Sequence, residues 1–296
     1  MADRLEEEED HVLLRSLFLR DGYVVIPGFL EPCLVDCSSC RMQNILNAAH
    51  SPLRPLTRSP AHPLARSPYA PGLELEVTRL IESRPSDGSN IYEPLPPECL
   101  ERHPSARTEI EAFDAVRTTW PLSKEVRDVL LGGRMRALVR ALLCGDSAAD
   151  HPCLFNEQYI VKPSRSAAGG AFGWHRDSDS LLKATGDREN ATPYLSVWVA
   201  IDDMTLDNGC LVVRRTDARG DGADADGSVQ DIPLEVAAGT AVVMSSMLEH
   251  CSGPNVTRFS RRAWMPQFSA RPITRRRGER GGRGEIDVPV CLCLHV

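Results

Sequence analysis

The sequence predicts an α+β fold that is mainly β. A sandwich or barrel of short strands fills the second half of the chain, and helices from the first half pack outside it. Three observations predict this. Apolar residues recur at helical spacing over 6–20 and 123–144. From about residue 153 the texture changes to short β-rich runs separated by Gly, Pro, Asn and Asp. The composition is that of an ordinary globular chain, with 296 residues, 42% hydrophobic and 25% charged, so a core forms without a disulfide or metal staple.

The elements follow in order. Val12, Leu13, Leu17 and Leu19 predict a helix over 6–20, with an acidic first turn that suits the helix dipole and a stop at Asp21-Gly22. Tyr23-Val24-Val25-Ile26 reads as a strand closed by Pro27-Gly28, and 31–48 as a second helix. Segment 51–73 repeats Ser-Pro at Ser51, Ser59 and Ser67, with further prolines at 55, 63 and 71, so it is a loop insertion. Before Gly132-Gly133, Val126, Val129 and Leu130 share a helical face; after it, Met135, Leu138, Val139 and Leu142 share another. Strands are expected at 158–161, 195–201, 211–213, 240–244 and 263–268. An acidic loop is expected at 214–231 and a disordered Arg- and Gly-rich tail at 271–296. Residues 1–270 are expected to form one domain.

Charge and hydropathy narrow the function. The net charge of −7 (34 − 41) gives no general electrostatic case for nucleic acid. No apolar run approaches the ~20 residues of a membrane helix. The acidic start lacks the features of a signal peptide, so an intracellular, cytoplasmic protein with cysteines as thiols is expected. The alternative is peroxisomal, because Arg4-Leu5 and His11-Val12 loosely match an N-terminal targeting nonapeptide, with an acidic middle that departs from it. The partner expected is a small-molecule substrate. Oligomeric state has no signature in the sequence.

The chemistry centres on Gly173-Trp174-His175-Arg176-Asp177. On a strand, His175 and Asp177 project to one face and could share a metal; otherwise they simply face water. Two His and one carboxylate leave open positions on Fe(II), so a third ligand must come from elsewhere. His250 lies just beyond the apolar run 241–244, and Arg261 opens another strand-like run. An Arg fork suits the far carboxylate of a dicarboxylic acid.

Residues 158–268 resemble the phytanoyl-CoA dioxygenase family of Fe(II)/2-oxoglutarate oxygenases. The pieces are Gln158-Tyr159-Ile160-Val161-Lys162-Pro163, the His175/Asp177 segment, Trp198-x-Ala200, Asn208-Gly209-Cys210-Leu211-Val212-Val213, His250-x-Ser252-Gly253-Pro254-Asn255 and Arg261-Arg262-Ala263. The opening from Arg20 to Leu30 is also similar. The resemblance implies a double-stranded β-helix (jelly-roll, cupin-like) core with flanking N-terminal helices. It implies His175, Asp177 and His250 as catalytic iron ligands. It places the distal carboxylate of 2-oxoglutarate on Arg261, with Arg262 as the fallback, and sets Gln158 and Trp198 near the co-substrate. Ser252 and Asn255 would shape the loop after the last ligand. Fe(II), 2-oxoglutarate and O2 are the implied cofactors, with ascorbate supportive. Succinate, CO2 and a hydroxylated small organic or lipid-like product, acyl-CoA included, would result. Asp177 favours a hydroxylase over related halogenases, which lack that carboxylate. Two departures bar transfer of family substrates. Arg214-Arg215-Thr216-Asp217 replaces the common Pro-Gly-Ser-His, and Arg176 stands where many members have Gln.

Rival signals are weaker. Cys33, Cys37 and Cys40 have the spacing of a radical-SAM iron–sulfur triad, but that spacing is also one helical face, and the chain lacks repeated strand–helix alternation. Cys291, Cys293 and His295 sit in the tail. Asp202 and Asp203 read as a strand end, Asp179 as a neighbour of the site. Trp120, Trp174 and Trp264 read as core. Two other function classes use the same fold: a metalloenzyme without 2-oxoglutarate, and a non-catalytic binding protein. An intact His175, Asp177, His250 and Arg261 set argues against the second.

Overall fold

The computed structural model describes residues 2–30, 91–92, 129–130, 132–145, 152–165, 170–179, 194–214, 230–270, 274–278, 285–289 and 294–295. The expected helix over 31–48 with its three cysteines, the Pro-rich segment 51–73, Trp120 and the interior of the acidic loop lie outside the described residues.

Helix α1 spans Ala2–Asp21 and leads into β1, Tyr23–Ile26. Its buried stripe is Leu14, Leu17 and Phe18, at i, i+3 and i+4. Val12, Leu13 and Leu19, expected on the apolar face, are exposed instead. The helical period lets only one stripe reach the sheet, and these three fall off it. Helix α2, Gly133–Leu143, buries Met135, Leu138, Val139 and Leu142, as their spacing predicts.

Eight strands form the barrel: β3 (Cys153–Lys162), β4 (Phe172–His175), β5 (Tyr194–Ala200), β6 (Leu211–Arg214), β7 (Asp231–Leu234), β8 (Ala241–Ser245), β9 (His250–Ser252) and β10 (Arg261–Ser269). The larger sheet has the order β1-β8-β5-β10-β3, and the smaller β4-β9-β6-β7. Along the chain, β3 to β10 pass back and forth between the two sheets, the winding of a jelly roll. Ile91–Tyr92 (β2) pairs with β3. Strands β7 and β9 were not foreseen because they are only four and three residues long and β7 carries Pro233. Arg214 and Asp231, the ends of the expected loop, are paired strand residues.

Three described segments of the tail, expected to be disordered, are strands. Thr274–Gly278 (β11) pairs with Glu285–Pro289 (β12), and Leu294–His295 (β13) pairs with β3. The Glu-Ile-Asp-Val alternation of β12 has the period of a strand, which the surrounding Arg and Gly obscured.

Strand parity divides the core. Leu195, Val197, Val199, Ala241, Val243, Trp264 and Phe268 pack outward with α1 and α2. Trp198, Ala200, Val242, Met244, Ala263 and Met265 pack inward with Leu211, Val213 and Leu234 of the smaller sheet. Each large apolar side chain so buried contributes roughly 1.5–3 kcal/mol.

Candidate metal centre

The barrel interior also carries the polar groups. His175 at the end of β4 is the register partner of His250 at the start of β9, and their ring centroids lie 4.3 Å apart. Asp177 follows in the turn after β4. Its Oδ1 is 3.8 Å from His175 Nε2 and 3.6 Å from His250 Nε2. Potential ligand atoms of the three residues all lie within 4.8 Å of one another.

Both imidazoles are oriented by backbone. His175 Nδ1 lies 2.8 Å from the Gly173 carbonyl oxygen, and His250 Nδ1 3.0 Å from that of Leu248. A proton on each Nδ1 satisfies these carbonyls and leaves each Nε2 lone pair for a metal. Burial holds the His250 pKa below its ordinary value, against the opposing pull of Asp177. The neutral, ligating form is thereby favoured. The donor set therefore fits a divalent metal of the two-His, one-carboxylate type.

Asp177 is held from behind. Its Oδ2 accepts from Ser196 Oγ at 2.6 Å and from Gln267 Nε2 at 3.3 Å. Gln267 Nε2 also donates to Ser196 Oγ at 2.8 Å, and its Oε1 accepts from Asn156 Nδ2 at 2.8 Å. Sequence reasoning missed Ser196, Gln267 and Asn156. A buried polar residue inside an apolar strand was the available signal.

The register separates the two arginines. Arg261 shares the inward parity of Ala263 and Met265 and is buried. Its Nη2 donates to the Gly209 carbonyl at 2.8 Å, while Nε and Nη1 are buried without a partner among the described residues. The guanidinium carbon is 5.6 Å from the centroid of the Trp198 ring. Arg262 points the other way. Its Nε and Nη2 donate to Asp202 at 2.9 Å and 2.6 Å. Gly209 has a φ of 79°, and a Cβ there would fall on the Gly253 carbonyl oxygen, so glycine is required where this turn closes.

Gln158 is half-buried on the inward side of β3, opposite Met265. Ser252 is buried. Asn255 donates to the Lys162 and Phe259 carbonyls, 3.0 Å and 2.7 Å away, and so builds the loop after β9. Asp203 accepts from the Ala238 N–H at 2.8 Å, a structural role. Asp179 is exposed close to the site. Trp264 is core, but Trp174 is 38% exposed, contrary to expectation. The Arg214 guanidinium carbon lies 3.9 Å from its ring centroid, and Arg214 also pairs with Asp231 at 2.9 Å and Glu249 at 3.2 Å. Strands β4, β6 and β7 meet in this cluster beside His175 and His250.

The phytanoyl-CoA dioxygenase (PhyH) family model matches residues 18–263. No curated protein matches the chain. Among solved structures, the epimerase SnoN in complex with Fe3+, alpha ketoglutarate and nogalamycin RO is 14% identical, over 96% of this chain and 95% of that one, with a TM-score of 0.54. The non-heme alpha ketoglutarate dependent carbocyclase SnoK from nogalamycin biosynthesis is 14% identical, over 95% of each chain, with a TM-score of 0.52. EvdO2 from Micromonospora carbonacea var. aurantiaca, complexed with 2-oxoglutarate, is 19% identical, over 88% of this chain and 90% of that one, with a TM-score of 0.50. At these identities the likeness establishes the fold. Among the described residues, no helix is long and apolar enough to cross a membrane.

Proposed function

The chain belongs to the phytanoyl-CoA dioxygenase family, and from that premise we propose that it is an Fe(II)- and 2-oxoglutarate-dependent dioxygenase. Its substrate is a small organic or lipid-like molecule, with acyl-CoA thioesters in that class, and its reaction is hydroxylation. One observation carries the reading. A convergent His175, Asp177 and His250 set shares the barrel interior with a buried Arg261 whose Nε and Nη1 lack partners among the described residues.

His175, Asp177 and His250 would hold the iron. The bound metal and co-substrate supply the oxidation by O2, which ends in succinate, CO2 and oxidised substrate. The chain's own residues bind and position. Arg261 takes the distal carboxylate of 2-oxoglutarate on its free N–H groups, with Trp198 against its guanidinium and Gln158 lining the same interior. The Nδ1 contacts fix both imidazoles, and Ser196 with Gln267 fixes Asp177. One catalytic domain, residues 1–270, would carry all of this.

Purified protein with Fe(II), 2-oxoglutarate and ascorbate is expected to release succinate slowly without substrate and faster with one. Asp177→Ala is expected to release none. Absence of succinate from the unmodified protein would contradict the reading. Similar folds include an epimerase and a carbocyclase, so product mass decides the outcome. Hydroxylation adds an oxygen atom, epimerisation changes no mass and ring closure removes hydrogen.

A further inference from the structure

Lys162 ends β3 and is the direct cross-strand partner of Arg261 on β10. Such partners project to the same face of a sheet, so two long cations enter the barrel interior side by side. Lys162 is 0% exposed and Arg261 2%. Among the described residues neither forms an ion pair with a carboxylate. Burying like charges together without a counter-ion is costly. Burial first, and Arg261 second, push the Lys162 ammonium down to about 7. Burial likewise pushes Arg261 down to about 10.

The Lys162 ammonium crosses to the smaller sheet. Nζ donates to the Ser252 carbonyl at 3.2 Å and to the Gly253 carbonyl, and lies 5.1 Å from the centroid of the Phe172 ring. An ammonium has three donors, and two are accounted for. On its cross-strand partner, Nε and Nη1 of Arg261 are buried donors with no acceptor among the described residues. A carboxylate supplies acceptors for such donors.

We propose that Lys162 is a second cation of the co-substrate pocket, so that the distal carboxylate of a short 2-oxo dicarboxylic acid binds between Lys162 and Arg261. The proposal rests on the dioxygenase reading above. It adds selectivity, because two cations discriminate strongly against a 2-oxo acid that ends in a methyl group. The competing role for Lys162 is a strap that ties β3 to the loop after His250.

The test is calorimetric titration of the full chain, loaded with Zn(II), using 2-oxoglutarate and 2-oxopentanoate. The second ligand keeps the 2-oxo acid end and has a methyl group in place of the distal carboxylate. Lys162→Met is expected to weaken 2-oxoglutarate binding by about tenfold or more while leaving 2-oxopentanoate within about twofold. Lys162→Gln, which keeps N–H donors for the strap but not the charge, is expected to show the same selective loss. Lys162→Arg is expected to retain most of the affinity. Equal weakening of both ligands, rescue by Gln, or no change in Lys162→Met would overturn the proposal. Failure of the unmodified protein to bind 2-oxoglutarate would instead overturn the dioxygenase reading itself.

Discussion

The two faces of the larger sheet are built from the same strands and differ in kind. On the outer face, β5, β8 and β10 present Leu195, Val197, Val243, Trp264 and Phe268 to the helices. On the inner face, the alternate positions of β5 and β10 include Ser196, Arg261 and Gln267, all buried. Burial of the outer set stabilises the fold. Burial of the inner set is unfavourable unless each polar group is paired, and Ser196 and Gln267 are paired through Asp177. Strand alternation thus confines Ser196, Arg261 and Gln267 to the inner face, among apolar residues that also stabilise the fold.

The largest expected effect comes from the ligand itself. Asp177→Ala should lower the affinity for Co(II) or Ni(II), read by titration, by more than about 100-fold, beyond what hydrogen-bonding neighbours of a ligand contribute. Its melting temperature should change little. Next come the residues behind the carboxylate. Ser196→Ala and Gln267→Leu should each weaken metal binding by about 10–100-fold in the same titration. The smallest effect on the site should come from the neighbour on the other face. Phe268→Ala should lower stability in urea unfolding by about 3–5 kcal/mol yet leave metal affinity unchanged. If Phe268→Ala weakens metal binding as much as Gln267→Leu, the two faces are not separable.

Much of this was legible from local pattern. The His175-x-Asp177 spacing and the position of His250 past an apolar run, read with the family resemblance, pointed to three residues that the fold brings together. Period alone placed the buried face of α2. It misplaced the face of α1, where Val12, Leu13 and Leu19 are apolar but face water, because that helix has more apolar residues than one stripe holds. The choice between Arg261 and Arg262 depended on register, which only the pairing with Lys162 and Val161 supplies. Ser196, Gln267, Asn156 and Lys162 act through partners distant in sequence, so a polar residue within a strand marked each position without fixing its role. Strands β7 and β9 were too short to signal themselves, and Pro233 argued against the first.

On the proposed function, inward parity on one strand makes Arg261, and not Arg262, the co-substrate anchor. Anaerobic addition of 2-oxoglutarate to the Fe(II)-loaded protein, read as the metal-to-ligand charge-transfer absorbance, tests it most directly. The unmodified protein and Arg262→Met should develop the band at similar 2-oxoglutarate concentrations. Arg261→Met should need about 30-fold more, or show none. A band retained in Arg261→Met and lost in Arg262→Met, or no band in the unmodified protein, would contradict the account.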